Sequence, residues 1–383
     1  MSHWAHIELT DAEHVAERHA ARRNSDAAFW LVGVRGRDTL ESLRARLPKT
    51  CKDVRVSGAS KGAAVPMKLC KMSSAPRLKR LVIGVDVRGW AFDSYARNIA
   101  LAAPHGWEVE VCDASNLPKN LDGAGVVYNM PPGRQVQWAA LANAVGSERP
   151  ALVSSFNTGY PHQKQWIDSL PPISDWMIFN NLASWKQSKS YRSSYIPNGV
   201  DSDLFCPMVP IMERPRRVLW VGSQRYLELK GYPMLEQIRP ALLSRGIECD
   251  FTPANSFDPP KTQLEMAEWY QTGRVYVVAS ETEGTPNPGL ESAACGCALV
   301  STRVGNMPEL ITHGVNGLLV DRTPEALLAG IIEADANCER LGNAARRSII
   351  DDEWSWNLVA RRHWHVFQML REGWLSGPLW SNL

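Results

Sequence analysis

No apolar run in this 383-residue chain reaches the ~18 residues that a membrane-crossing helix requires. The opening Met1-Ser2-His3-Trp4-Ala5-His6 also has no apolar signal-peptide core. These two absences give the expectation of a soluble, cytoplasmic protein without a transmembrane segment. Eight cysteines are present, at 51, 70, 112, 206, 249, 295, 297 and 338, but they form no C-x-x-C pair and no cluster with histidine. A zinc site therefore has no supporting spacing, and a disulfide framework is unnecessary at this size. The expectation is reduced thiols used as small buried residues. Charge of one sign is lacking as well, since 42 Lys+Arg against 40 Asp+Glu leave a net +2. What remains is an ordinary globular composition, 44% hydrophobic and 21% charged, which excludes collagen, coiled coil or a disordered tail as the main architecture. A chain this long exceeds one hydrophobic core, so two packed domains are expected.

The near-neutral total hides an asymmetry. Residues 1–80 carry 16 basic against 8 acidic side chains, and the rest of the chain 26 against 32. Most of the excess lies in 49–80, where nine Lys and Arg face Asp53 alone and no Trp, Tyr or Phe is interleaved. Such a stretch attracts phosphate-bearing partners, whether nucleic acid or an anionic membrane surface; the alternative is a solvated linker beside a domain. Residues 1–76 read as a basic extension to which no chemistry is assigned. It contains a capping box at Thr10-Asp11-Ala12-Glu13 and a buried-strand pattern from Ala27 to Val34.

From Arg80 the rhythm changes to short apolar runs separated by helical patterns. Runs at Leu81–Val85, Trp107–Val111, Gly125–Tyr128, Ala151–Phe156 and Trp176–Asn180 make one series. Runs at Arg217–Gly222, Glu248–Thr252, Arg274–Val278 and Ala298–Ser301 make a second, with a helix over 232–245. Strands alternating with helices predict βαβ units and parallel sheets covered on both faces. The chain thus reads as α/β, with two Rossmann-like domains (77–206 and 207–357) facing a cleft. The tail, 358–383, reads as a helix: Trp356, Val359, Ala360, Trp364, Phe367 and Leu370 recur at three- and four-residue steps, giving one apolar face that is expected to dock back across the first domain.

The segment richest in chemistry is Val278 to Gly296, VASETEGTPNPGLESAACG. A strand ends near Ala279, a Gly/Pro loop follows, and a helix is expected to start near Gly289. Glycines let a ligand approach the backbone. Pro286 and Pro288 lack N–H groups, so the expected free donors are the amides of Thr285, Asn287, Gly289 and Leu290. A helix N-terminus favours an anion by roughly 0.3–1 kcal/mol. Two carboxylates eight positions apart, Glu283 and Glu291, frame this anion site, and a carboxylate suits sugar or ribose hydroxyls because it can only accept hydrogen bonds.

This segment resembles the E-x7-E signature of family 4 glycosyltransferases with the GT-B fold. Tyr195–Phe205 (YIPNGVDSDLF), Leu219–Gly231 (LWVGSQRYLELKG) and Gly305–Leu319 (GNMPELITHGVNGLL) are similar to further segments of that family in the same order, and Trp354-Ser355-Trp356 to the start of its crossing helix. The resemblance implies roles. Glu291 looks like the ribose-binding glutamate and Glu283 like the one facing the donor sugar, with the intervening amides holding hydroxyls and phosphates. Lys230 matches the basic residue that neutralises the departing diphosphate, and a fixed cation there lowers the barrier because charge develops on the leaving group. A second basic residue is carried to Arg225, since Ser223 stands where the family's usually falls. Gly89 matches a glycine that lets donor and acceptor approach. The first domain offers His105 and His162 for a catalytic-face histidine, and His162 is the candidate.

Other features are read blandly. Asp201-Ser202-Asp203 is taken as a turn, with no metal expected. His363 and His365 point to different helix faces and cannot chelate from one side. Glu309 is read as a helix cap near the nucleotide, with a direct nucleotide contact as the alternative, and Trp90 as a packing residue in the cleft loop, with stacking on an acceptor sugar or base as the alternative. The resemblance implies a retaining transferase that needs no cofactor. It would move a sugar from a UDP- or GDP-type donor to a hydroxyl acceptor. A glycan or lipid-linked saccharide is the first expectation for that acceptor, and a modified nucleic-acid base the alternative. A sugar-nucleotide epimerase and a non-catalytic sugar-nucleotide-binding protein are the readings from other classes.

Overall fold

A computed structural model of the chain describes residues 79–86, 91–113, 121–131, 135–145, 149–157, 174–188, 192–253, 261–351 and 354–372. The readings placed on the basic extension, Gly89, Trp90 and His162 lie outside these residues.

Two parallel sheets carry the fold. The first contains β1 (Arg80–Val85), β2 (Glu108–Asp113), β3 (Val126–Asn129), β4 (Ala151–Phe156), β5 (Trp176–Phe179) and β6 (Ser193–Tyr195), in the order β2-β1-β3-β4-β5-β6. The second contains β7 (Arg217–Gly222), β8 (Glu248–Pro253), β9 (Val275–Val278), β10 (Ala298–Thr302) and β11 (Leu318–Val320), in the order β11-β10-β9-β7-β8. Every neighbouring pair runs parallel. The central strands β3, β4, β5, β9 and β10 are buried along their whole length, as sheets covered on both faces require. The edge strands β2 and β8 are only partly buried and carry Glu108, Glu110, Glu248 and Asp250, charges that blunt an open edge. The two sheets repeat one device: Arg80, opening β1, pairs with Glu110 at 2.5 Å, and Arg217, opening β7, pairs with Glu248 at 2.5 Å.

In the first half α1 (Ala91–Leu101) follows β1, α2 (Gln135–Ala144) follows β3 and the short α3 (Leu182–Gln187) follows β5. The second half contains α4 (Tyr232–Leu243), α5 (Gln263–Tyr270), α6 (Asn287–Ala294), α7 (Met307–Leu310), α8 (Pro324–Ala336) and α9 (Cys338–Asp351). Residues of α4 and α8 share a core with one face of the second sheet, those of α5 and α6 share a core with the other, and α9 contributes to both. Local signals set several helix starts. Thr262 and Glu265 form a reciprocal capping box on α5, and the Thr323 hydroxyl accepts from the Ala326 amide at α8.

The last helix, α10 (Trp356–Arg371), belongs by packing to the first sheet. Its buried Trp356, Val359, Trp364, Phe367 and Leu370 join a cluster with Leu81, Ile83, Tyr95 and Tyr128. The chain therefore crosses between the sheets twice, and the crossings lie side by side. The Val200 amide donates to the Trp354 carbonyl (2.9 Å), and the Trp356 amide to the Val200 carbonyl (3.1 Å). At Gly199 any Cβ would stand 2.7 Å from the Trp356 ring, so the absence of a side chain lets the two crossings touch.

The sequence-level strands correspond to β1–β5 and β7–β10, with both ends matching at β4 and β7 and shifts of at most two residues elsewhere. The three-residue β6 and β11 were not anticipated; too short to show a period, they exist because β5 and β10 offer them an edge. The helix expected from Gly289 starts two residues earlier, at Asn287.

Candidate functional site

The second sheet has a topological switch point. β7 lies between β8 and β9, and the helices after β7 and β9 (α4 and α6) cover opposite faces, so a crevice opens at the carboxyl ends of these two strands. From the end of β7 come Tyr226, Leu229 and Lys230; from the end of β9 come Thr282, Glu283, Gly284, Thr285 and Asn287. Facing them from the first half are Ala91, Phe92 and Tyr95 of α1, Asn157 just past β4, and Asn198 of the connection after β6. Together these residues line a cavity of about 220 Å3.

Backbone constraints bring Lys230 and Glu283 together. Gly231 has φ +79°, and a Cβ there would lie 2.3 Å from the Ala279 carbonyl oxygen, so the turn carrying Lys230 rests directly on the end of β9. The Glu281 amide donates to the Leu229 carbonyl at 2.8 Å, pinning the two loops to each other. Lys230 Nζ then pairs with Glu283 Oε1, which also accepts from Ser280 Oγ at 2.7 Å. Only 11% of the Glu283 side chain is exposed, against 26% for Lys230. The result is a cation and a carboxylate side by side at the cavity wall, close to the start of α6.

The amides expected to be free at that helix start are only partly so. Those of Gly289 and Leu290 both donate to the Pro286 carbonyl, at 2.8 and 3.4 Å, because the chain enters α6 through a tight turn. Gly289 instead serves packing, with a Cβ position 3.2 Å from Met307 and 3.3 Å from Val278, and Leu290 is buried in the core. Thr285 and Asn287 do line the cavity.

Glu291 lies on α6 outside the cavity lining and accepts from the Tyr270 hydroxyl at 2.8 Å. Burial disfavours its charged form and raises its pKa to about 7, against which the Tyr270 hydrogen bond acts as a smaller lowering influence. Arg225 is exposed, and its guanidinium lies over the Tyr226 ring, 5.5 Å from the centroid; Tyr226 rather than Arg225 reaches the cavity. His105 stands exposed in the turn before β2, at the amino end of the strands and away from the crevice. His363 is buried beside Val359 and Tyr128, and burial lowers its pKa to about 4.

Glu309 does not cap its own helix. Asn306 holds the N-cap position of α7, and Glu309 reaches across the cleft, where it accepts from the Leu182 amide at the start of α3 (3.0 Å) and from the Tyr195 hydroxyl (3.4 Å). Burial raises its pKa to about 7. Asp201 Oδ1 accepts from the amides of Asp203 and Leu204, so the D-x-D is a turn. Among the described residues no group of three or more His, Cys, Asp or Glu is placed to hold a metal ion.

The first-half wall was the part not read from sequence. Tyr95 sits in an ordinary helical pattern. Asn198 falls within YIPNGVDSDLF, and Asn157 within the stretch searched for a histidine, yet neither is a residue type that announces a site. Asn157 Nδ2 is buried without a hydrogen-bond partner among the described residues. Its carbonyl oxygen would stand 2.3 Å from a Cβ on residue 284, so the two halves meet at van der Waals contact only because Gly284 has no side chain.

Residues 203–337 match the family described as Glycosyl transferases group 1. The chain is 38% identical over 239 residues to a D-inositol 3-phosphate glycosyltransferase of Pseudarthrobacter chlorophenolicus, covering 57% of this chain and 53% of that one. It is 28% identical over 206 residues to one of an Arthrobacter species, covering 49% and 45%. The matches thus span about half the length of these curated relatives. Among solved structures, the Anabaena protein HepE in complex with UDP and glucose aligns with a TM-score of 0.58 at 14% identity, over 76% of this chain and 100% of that one. A glycosyltransferase from Rickettsia africae aligns at 0.57 and 12% identity, over 77% and 99%. At these identities the likeness concerns architecture: two parallel-sheet domains in the GT-B arrangement.

Proposed function

We propose that this protein is a retaining glycosyltransferase that moves a sugar from a nucleoside diphosphate sugar to a hydroxyl acceptor. The observation that carries the reading is the Lys230–Glu283 pair on the wall of a cavity at the switch point of the second sheet, beside the amino end of α6. A diphosphate seated there would exchange places with Glu283 as the partner of Lys230. As the bond between sugar and phosphate lengthens, negative charge grows on the phosphate oxygen, and the ammonium stabilises it without reorganisation. Glu283, released from the lysine, would accept hydrogen bonds from sugar hydroxyls, and Asn157 Nδ2 would donate one from the opposite wall. Glu291 would accept from the ribose.

In this reading the diphosphate leaves and the acceptor attacks from the same face of the sugar, which accounts for retention, and the charge-neutralising role falls to Lys230. A growing glycan or lipid-linked saccharide is the proposed acceptor. Because the relatives are D-inositol 3-phosphate glycosyltransferases, D-inositol 3-phosphate joins the set to be tried, and the basic stretch 49–80 adds hydroxymethylated DNA to it.

Thermal-shift measurement against a panel of UDP- and GDP-sugars, followed by mass spectrometry of the best donor with each acceptor, tests the proposal. A new product heavier by one glycosyl unit is expected. Isomerised donor in the absence of acceptor would reveal an epimerase, and binding without turnover a binding protein; either result sinks the transferase reading.

A further inference from the structure

Asn287, in the first turn of α6, is held from the other side of the cleft. Its Oδ1 accepts two hydrogen bonds, from the Tyr95 hydroxyl at 2.8 Å and from Asn198 Nδ2 at 3.1 Å. Tyr95 is a buried residue of α1, and Asn198 a buried residue of the connection between the sheets. Both donors adjoin the place where the chain crosses between the halves. The Tyr95 ring meets the Trp356 ring edge-on, with centroids 5.0 Å apart, and Asn198 precedes Gly199 and Val200, which pack on and bond to Trp356 and its neighbours. The neighbouring Thr285 is held from both sides: its Oγ1 is within reach of Asn180 Nδ2 of the first half (3.2 Å) and of Asn306 Nδ2 of the second (2.9 Å). Of these hydrogen bonds on the loop between Glu283 and α6, those from Tyr95, Asn198 and Asn180 come from across the cleft or from the crossing, and the one from Asn306 comes from the second half.

We infer that Tyr95 and Asn198 are positioning residues that fix the Asn287 side chain, and with it the 284–290 loop, only when the two halves are closed on each other. The Tyr95 hydroxyl and the Asn198 amino group meet at one acceptor atom, so both donors act on the same carboxamide. With both lone pairs of Oδ1 engaged by these two donors, the carboxamide plane is set. Opening the cleft breaks both bonds at once. The loop would then keep its connection to β9 and α6 but lose the orientation of the side chains that line the cavity. The second half alone would still present Lys230 to a diphosphate, whereas engagement of the sugar would require closure. Sugar transfer would be confined to the closed form, which limits loss of the sugar to water. The kinetic consequence rests on the sugar-transfer reading; the coupling of the loop to the first half does not.

The test uses the full chain with Tyr95→Phe, which keeps the ring against Trp356, and the double variant Tyr95→Phe/Asn198→Ala. Hydrogen exchange of the 284–290 amides, measured without ligand, is expected to quicken at least about fivefold in the double variant while that of β1 and β9 stays at the wild-type rate. With UDP as probe, affinity is expected to fall by less than kcat/KM does. With UDP-glucose, or whichever nucleotide sugar is turned over, kcat/KM is expected to fall by about threefold to tenfold per lost hydrogen bond. Unchanged exchange over 284–290 would overturn the inference whatever the activity. A parallel loss of UDP affinity would overturn it too, since it would mean general damage to the site. If the wild-type protein turns over no nucleotide sugar, the transfer reading fails, and the exchange difference alone decides whether Tyr95 and Asn198 hold the loop.

Discussion

Lys230 and Glu283 stand 53 positions apart and form an ion pair at the wall of the cleft cavity. One arrives from the turn after β7 and the other from the loop after β9, two strands that are neighbours in the second sheet. The pair is mostly shielded from water, so neither member is a free surface charge.

Replacing either member should separate catalysis from folding. Lys230→Ala and Glu283→Gln are each expected to lower sugar transfer by about 10²–10³-fold, the usual loss when a preorganised charge or donor is removed from a transition state. Lys230→Ala also leaves Glu283 unpaired, with an expected loss of about 1–3 kcal/mol in stability, whereas Glu283→Gln should cost less. Turnover with the best donor and urea unfolding of each variant check both statements; wild-type-like turnover in both variants would remove these residues from the mechanism.

Glu291 should make stability and binding depend on pH. Its folded pKa of about 7 lies above the 4.5 of a free glutamate, so between those values the folded state holds a proton that the unfolded chain has released. Stability from this group is therefore complete below about pH 4.5, declines as pH rises through 7, and is flat beyond. Glu309 acts in the same direction. His363 acts oppositely: its folded value near 4 lies below 6.5, so its contribution grows as pH rises from 4 to 6.5. Glu291→Gln should flatten the decline between pH 5 and 7.5 in urea melts. Ribose hydroxyls donating to Glu291 would favour its carboxylate, so UDP binding at pH 6.5 should release protons, visible in titration calorimetry as a heat that varies with the buffer. Binding heats independent of buffer would argue against that contact.

Gly284→Ala should block close approach of the two halves. The added methyl would sit 2.3 Å from the Asn157 carbonyl oxygen, backbone against backbone, which no side-chain adjustment relieves. Transfer is expected to fall by at least about tenfold with UDP affinity little changed, and small-angle scattering should report a larger radius of gyration. An unchanged radius and unchanged rate would mean that contact at this point is dispensable.

Trp364→Ala should be the most damaging of these substitutions to folding. The Trp364 side chain is buried, donates from its indole nitrogen to the Ile99 carbonyl at 2.7 Å, and meets Trp107 edge-on. A loss of about 3–5 kcal/mol is expected. Limited proteolysis should then cut within the first half before the second, since α10 packs on the first sheet.

Much of the architecture is legible because parallel strands buried on both faces must be apolar throughout. Leu81–Val85 and Val275–Val278 announce themselves by that alone, Ala151–Phe156 and Ala298–Ser301 do so despite buried serines, and the step of Trp356, Val359, Ala360, Trp364, Phe367 and Leu370 shows the buried face of α10. β6 and β11 are invisible for the converse reason: three residues have no period, and their pairing is decided by the neighbouring strand.

The same division holds in the site. Glu283 and the Gly/Pro loop stand out in the sequence because a charge beside a glycine-rich strand end has few structural uses, whereas Lys230 is marked only by the resemblance of Leu219–Gly231 to a family segment. Glu309 appears there as a helix cap, and only the packed structure shows which helix it serves: it reaches across the cleft onto the Leu182 amide at the start of α3. Tyr95, Asn157 and Asn198 carry no such mark; they matter because α1, β4 and the crossing segment converge on one loop of the opposite half. Chain order and hydrophobic pattern determined which segments become strands and helices, since those choices depend on neighbours a few residues away. Which first-half side chains face Asn287 and Glu283 was decided by tertiary structure alone, because hydrogen bonds between residues 89 to 192 positions apart depend on how two sheets close, and no local pattern encodes that distance.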